Sequence, residues 1–262
     1  DARASGSAHQ RTTPPFTIEP ATRHDYLALA HYHYRPAHPA VLAGPGAIRR
    51  AVDPEGRLLG VIVVAMPTMN APWRDAIWPG RYRTDDKKAD AARLARELRC
   101  IARVIIDPRH RGLGVAAALV RHYLATPLTP ATEAVAAMGL ASPFFAAAGM
   151  TPYRLPPTRR DARLADALAQ VGIRAESLLD ADFVAAMPPL LERELRHWAG
   201  ASRATRSLAN DPLAVARRAA GALLAPPIVY AHVAPCAANT IGTTHARTTP
   251  ANSADSRLAR AA

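Results

Sequence analysis

The stretch Val104–Ala116, V-I-I-D-P-R-H-R-G-L-G-V-A, constrains this chain more than any other. An apolar, β-branched run from Leu98 to Asp107 reads as a strand, and Pro108 ends it because proline cannot donate to a sheet ladder. A loop with two glycines follows. Gly112–Ala125 then reads as a helix, with Val115, Leu119, Val120 and Tyr123 on one face. A strand that runs through a glycine loop straight into a helix is an anion cradle. The first N–H groups of a helix lack intrahelical acceptors and sit at the positive end of its dipole. Gly112 and Gly114 let the backbone approach a phosphate without a Cβ in the way. Arg109 and Arg111 add bidentate donors, in the most basic local stretch of the sequence, Arg81–Arg111.

Two common phosphate-binding signatures do not fit. The string G-x-x-x-x-G-K-[ST] is absent, and Gly112-x-Gly114 is followed by Ala117 where a dinucleotide fingerprint has its third glycine. The surrounding pattern is also not a repeated parallel βαβ. Phe16–Glu19 is a strand, and Thr22 or Asp25 caps a helix that Pro36 stops. Ala47–Val52 and Arg57–Met66 flank the turn Asp53-Pro54-Glu55-Gly56 and form a hairpin. Residues 67–90, rich in Pro, Trp and charge, read as one long irregular segment, either facing a substrate or covering the sheet. Glu133–Met138 is a strand, Pro143–Ala148 a short helix ended by Gly149, and Thr151–Leu155 a last strand. The sum is a mixed α/β (α+β) fold. Its domains are a disordered leader over 1–15, a sheet domain over 16–157, a C-terminal helical extension over 158–235 and a disordered tail over 236–262.

A chain of 262 residues accommodates this arrangement. Its formal charge of +12 invites a nucleic-acid partner. However, Lys87 and Lys88 are its sole lysines, and the arginines are spread through both halves rather than gathered in an arm. Cys100 and Cys236 cannot build a disulfide scaffold, no run approaches a membrane span, and no signal peptide is visible, so the cytoplasm is the expected location. The start at Asp1 without Met is read as the mark of an excised or trimmed product.

The loop resembles motif A of the GNAT superfamily of N-acetyltransferases. The pattern R/Q-x-x-G-x-G/A is met by Arg111, Gly114 and Ala116, and the longer P-x-x-R-G-x-G-x-A from Pro108 to Ala116. Phe16–Asp25, the hairpin Asp53–Val61 and P-F-F-A-A-A-G-M at Pro143–Met150 resemble other parts of that family in the right order. The resemblance covers about residues 16–155. It implies a central, mostly antiparallel sheet flanked by helices, and acetyl-CoA or another acyl-CoA as donor to an amine on a small molecule or protein. Pantetheine would run along the splayed fourth strand at Val104 and Ile106. The pyrophosphate would sit on Arg109, His110, Arg111, Gly112, Leu113, Gly114, Val115 and Ala116. Transfer would be direct, with a strand N–H stabilising the oxyanion.

One departure stands out. Phe145 occupies the place of the tyrosine that commonly protonates the leaving thiolate. Tyr123, His110 and Tyr34 are substitute candidates, and Glu97 is the candidate base. The competing role for Glu97 is an ion pair with Arg93 or Arg99. Cys100 reads as a small core residue. His31 and His33, two apart, do not have metal-pair spacing, so no metal is expected. His31–Arg35 and Met66–Trp78 are also similar to a narrower group, the Mom-type DNA-modification proteins and the acetyltransferase-like domains fused to ABC-type ATPases. That similarity implies an alternative acceptor, a nucleic-acid base gripped by Trp73 or Trp78. A degenerate CoA-binding or assembly module is the third possibility.

Overall fold

The computed structural model describes residues 16–33, 41–237 and 241. The leader 1–15, most of the tail, and Tyr34 lie outside the described residues.

Among the described residues, seven strands make one sheet in the order β1-β2-β3-β4-β5-β7-β6. They are β1 (Thr17–Pro20), β2 (Ile48–Val52), β3 (Leu58–Ala65), β4 (Leu98–Ile106), β5 (Ala131–Ala136), β6 (Thr151–Arg154) and β7 (Ile228–Val233). Every neighbouring pair is antiparallel except β4–β5. The β2–β3 turn is held by the Asp53 carboxylate, which accepts the N–H of Glu55 at 3.1 Å and of Arg57 at 2.8 Å. β3 is buried from Leu59 to Ala65, as an inner strand covered on both faces must be.

Helices cover the two faces unequally. On one face lie α1 (Arg23–Ala30), α2 (Arg74–Ile77) and α3 (Lys87–Glu97); on the other lie α4 (Val115–Ala125) and α5 (Phe144–Ala147). Tyr26, Leu29 and Ala30 of α1 pack on Ile48, Val61, Val63 and Ile105. Leu119, Val120 and Tyr123 of α4 pack on Leu59, Ile62 and Ile101 across the sheet. The existence of α3 corrects the expectation of an irregular run to residue 90. Asp86 caps it, accepting the N–H of Lys88 at 3.0 Å and Ala89 at 2.9 Å, and the charged run is the helix's solvent face.

The larger correction concerns the C-terminal half. The remaining helices are α6 (Arg159–Gln170), α7 (Ala181–Ala185), α8 (Pro189–Gly200), α9 (Arg203–Arg206) and α10 (Pro212–Leu224). They enclose a core of their own around Leu164, Leu168, Leu191, Leu195, Trp198 and Ala216. They do not form a terminal extension, however. β7 follows them and enters the sheet between β5 and β6, so the helical body is inserted within a strand pair and the sheet does not end at residue 157. The physical reason is burial: Ile228 to Ala231 are all buried, which suits an inner strand and no solvent-facing extension. Ala237 and Ile241 are buried as well, so the expected tail is packed at least at those two described residues.

Candidate acyl-donor site

The site begins with a parting of strands. β4 and β5 pair from Leu98 opposite Ala131 to Ile101 opposite Ala134. Beyond that point β4 continues along β3 to Ile106, while β5 continues along β7 to Ala136, and a wedge opens between them. Val64 faces Ile101 and Val63 faces Arg103, which leaves Ala102 as the extra residue of a bulge at the apex of the wedge.

One hydrogen bond fixes the direction of the backbone. The Asp107 N–H donates to the Leu59 carbonyl at 2.9 Å and therefore points at β3. Main-chain groups alternate sides along a strand. The polar groups of Ile105 thus also face β3, and those of Val104 and Ile106 face the wedge. These are the two residues expected to meet a pantetheine arm.

The wedge leads to the loop. Asp107 accepts the Arg109 N–H at 3.0 Å, its Nε at 3.1 Å and its Nη2 at 2.7 Å. The Arg109 guanidinium, and next the Arg109 N–H, hold this carboxyl well below the usual carboxylate range. Arg109 is therefore ion-paired within the loop itself. Arg111 makes no ion pair among the described residues; its Nε lies 3.4 Å from the Ile106 carbonyl, at the mouth of the wedge. Gly112 and Gly114 have φ of +83° and +78°, which L side chains rarely adopt, and the space beside each is open. Gly114 caps α4 without a side chain, and the first helical bond runs from the Ala118 N–H to the Gly114 carbonyl at 3.0 Å. The amides of Val115, Ala116 and Ala117 consequently have no intrahelical acceptor. A pyrophosphate fits this cradle: free amides, a helix dipole, open glycines and an unpaired guanidinium.

The other expected residues fall elsewhere. Glu97 is bound by Arg81, whose Nε is 2.9 Å from it, and accepts the Tyr82 hydroxyl at 3.2 Å. It pairs with neither Arg93 nor Arg99, and it stands about 16 Å along the strand from Ala102 at ~3.3 Å per residue. Tyr123 is 0% exposed and lies over the paired end of β4–β5, with its hydroxyl acidity lowered by burial. Cys100 has its thiol pushed up to about 12, by burial first and the Glu133 charge second. His110 sits in the short 3₁₀ turn beside Arg109. Phe145 is buried against Tyr230, ring centres 5.1 Å apart, and the Tyr230 hydroxyl donates to the Gly139 carbonyl at 3.2 Å. No local pattern in the sequence points to Tyr230, because it reaches Phe145 from a strand 85 residues further on. The rings of His31 and Tyr32 lie 3.9 Å apart and tilted by 45° after α1, and no metal-binding cluster of His, Cys, Asp or Glu exists among the described residues.

The segment Met66–Trp78 covers the sheet. Trp78 is 1% exposed, so no base stacks on it. Trp73 donates to Glu133 at 3.4 Å. Arg74 and Glu133, each 1% exposed, form a bidentate pair at 2.9 and 2.6 Å, and Arg74 also donates to the Thr68 carbonyl at 2.6 Å.

The fold and the loop together have the arrangement that the motif resemblance implies: a mixed, mostly antiparallel sheet with a wedge between its parallel fourth and fifth strands, leading to a glycine-capped helix. Solved N-acetyltransferase structures align with it. One is a GNAT family N-acetyltransferase from Escherichia coli in complex with CoA, with 15% identity over 55% of this chain and 73% of that one, TM-score 0.31. A second is the spermidine N-acetyltransferase from Vibrio cholerae in complex with CoA and spermine, with 14% identity over 54% and 84%, TM-score 0.33. An agmatine N-acetyltransferase mutant aligns with 13% identity over 53% and 84%, TM-score 0.33. No family model and no curated protein matches the sequence. No helix among the described residues is long and apolar enough to cross a membrane.

Proposed function

We propose that this protein is an acyl-CoA-dependent N-acyltransferase, with acetyl-CoA as the expected donor and an amine as acceptor. The observation that supports this reading is the continuous path from the outward-facing main chain of Val104 and Ile106 to the free amides of α4. Val104 and Ile106 would pair with the amide groups of the pantetheine arm as an added strand pairs with a sheet edge. The amides of Gly112 to Ala116, together with Arg111, would hold the pyrophosphate. Acetyl-CoA supplies the acyl group already activated as a thioester. The chain's part is to orient it, with the wedge-facing N–H of Val104 available to the carbonyl oxygen.

Phe145 does not preclude this chemistry. A thiol has a pKa of about 8.5, so a thiolate leaves near neutral pH at modest cost even without an adjacent phenol. Glu97 and Tyr123 are poor choices for base and acid, one held by Arg81 and the other wholly buried. An amine that arrives already deprotonated needs no base, and the proton its nitrogen loses on forming the amide can pass through water to the departing thiolate. The test is calorimetric titration of the full chain with acetyl-CoA, followed by thiol release on adding amines. One site per chain is expected, and absence of binding sinks the reading.

A further inference from the structure

We infer that Arg103 selects the acceptor, and that it selects an amine carrying a carboxylate or phosphate. The inference rests on the acyltransferase reading above. It starts from the two faces of β4. Val104 and Ile106 pack toward α4, whereas Ile105 packs with α1. Arg103, two residues before Ile105, shares the α1 face by strand alternation. A donor anchored at the α4 N-terminus occupies the wedge from the α4 side. The acceptor then reaches the acyl carbon from the α1 face, where Arg103 stands directly beside the bulge at the apex.

Arg103 is a cation without a counterion. Its Nη1 donates to the carbonyl of its own neighbour, Ala102, at 2.7 Å, and its Nε is buried with no partner among the described residues. No carboxylate forms an ion pair with it among the described residues. Acids of β5, α1 and the loop after β4 are taken by other arginines: Glu133 by Arg74, Asp25 by Arg50 at 2.7 Å, and Asp107 by Arg109 at 2.7 Å. Arg74 on the same side of the sheet shows what a satisfied arginine looks like in this protein, with both edges of its guanidinium bonded. A second unsatisfied donor lies on the α1 face. The Tyr26 hydroxyl is buried without a partner among the described residues, in a ring 2% exposed that packs in the cluster with Val63, the residue opposite Arg103, and with Ile105. Arg103 is half-buried, with its Nε shielded from water, and a guanidinium stays protonated, so that shielded edge carries a cost while it lacks an acceptor. An anionic group on the acceptor removes that cost, and the planar fork of arginine suits both carboxylate and phosphate. A polycationic amine meets repulsion at the same place.

The test uses the full chain saturated with CoA, so that acceptors bind without reacting. β-Alanine, 2-aminoethyl phosphate, ethylamine and spermidine are titrated calorimetrically into the native chain, Arg103→Gln, Arg103→Lys and Tyr26→Phe. At least one of the first two probes is expected to bind ten-fold or more tighter than ethylamine or spermidine; which of them leads tells carboxylate from phosphate. Arg103→Gln should abolish that preference while leaving CoA affinity and melting temperature unchanged. Arg103→Lys should keep part of it, and Tyr26→Phe should weaken it several-fold. Equal or tighter binding of spermidine, a preference that survives in Arg103→Gln, or no binding of either anionic probe overturns the inference while leaving CoA binding intact. Failure of CoA itself to bind overturns the acyltransferase reading first.

Discussion

Two irregular segments of this protein behave in opposite ways. Residues 66–82 read in sequence as an irregular, aromatic segment that either faces a substrate or covers the sheet, and they bury Arg74, Ile77, Trp78 and Tyr82 against it. Residues 107–114 are shorter and more polar, and they leave amides, glycines and Arg111 open. The difference is one of satisfaction. In the first segment polar groups find partners inside the protein, such as Arg74 on Glu133. In the second the donors outnumber the internal acceptors. Unpaired donors at a helix terminus are open to water or a ligand, whereas buried rings make a cover.

The largest expected effect tests the cover. Glu133→Ala leaves the Arg74 charge buried and unpaired, and should cost about 3–5 kcal/mol in denaturant unfolding. A double change to Arg74→Met with Glu133→Leu should recover most of that. A cost under ~1 kcal/mol for the single change means the segment is not held as described.

Next comes the open loop. Arg111→Glu should weaken acetyl-CoA binding by roughly 10–100-fold, more at low salt, with unfolding stability moved by no more than about 0.5 kcal/mol. Unchanged affinity breaks the contrast between the two segments.

A smaller effect concerns Asp107, which shapes that loop. Its carboxyl has a lowered pKa in the folded chain, so its stabilising effect is fully present above the unfolded value of ~3.9 and is lost as pH falls toward the folded one. The margin of the native chain over Asp107→Asn should stay flat from neutral pH to about pH 5 and narrow below about pH 4 in denaturant melts. A margin that instead narrows above neutrality contradicts the pairing with Arg109.

The smallest effect is on thiol chemistry. With Cys100 pushed up to about 12 and Cys236 exposed, brief alkylation at pH 8 should add one label, at Cys236. Labelling of Cys100 at a similar rate means the sheet face above it is open.

How far these regions can be read from sequence depends on the range of the interactions. The strand, glycine loop and helix from Leu98 to Ala125 are written in contiguous residues, with each boundary marked by Pro108, Gly112 or Gly114. The hairpin around Asp53–Gly56 is legible for the same reason. The Arg74–Glu133 pair is not, because nothing in a tryptophan-rich stretch announces a carboxylate on a strand 59 residues away. Helix α3 escapes a reading by charge alone, because its charged face resembles a solvated loop when its cap at Asp86 is overlooked. The place of β7 is invisible for a topological reason. An apolar run near the C-terminus is the same string whether it edges a sheet or enters its interior. Within the candidate site, the cradle is legible and the faces of β4 are not. Only the bulge at Ala102 decides that Arg103 turns toward α1.

The insertion of the helical body within the β6–β7 pair has a consequence for how the chain reaches its native state. β5 has no partner on its outer side until β7 arrives, and β7 is synthesised only after residues 155–227. As a floppy loop, that stretch would make the pairing of Tyr153 with Val229 a slow, long-range search. If the helical body collapses first on its own core of Leu164, Leu195 and Trp198, it becomes a strut that presents both ends together. Closing the sheet then resembles closing a hairpin. The helices would act as a built-in assembly aid, and a floppy linker of the same length in their place would slow the last step of folding.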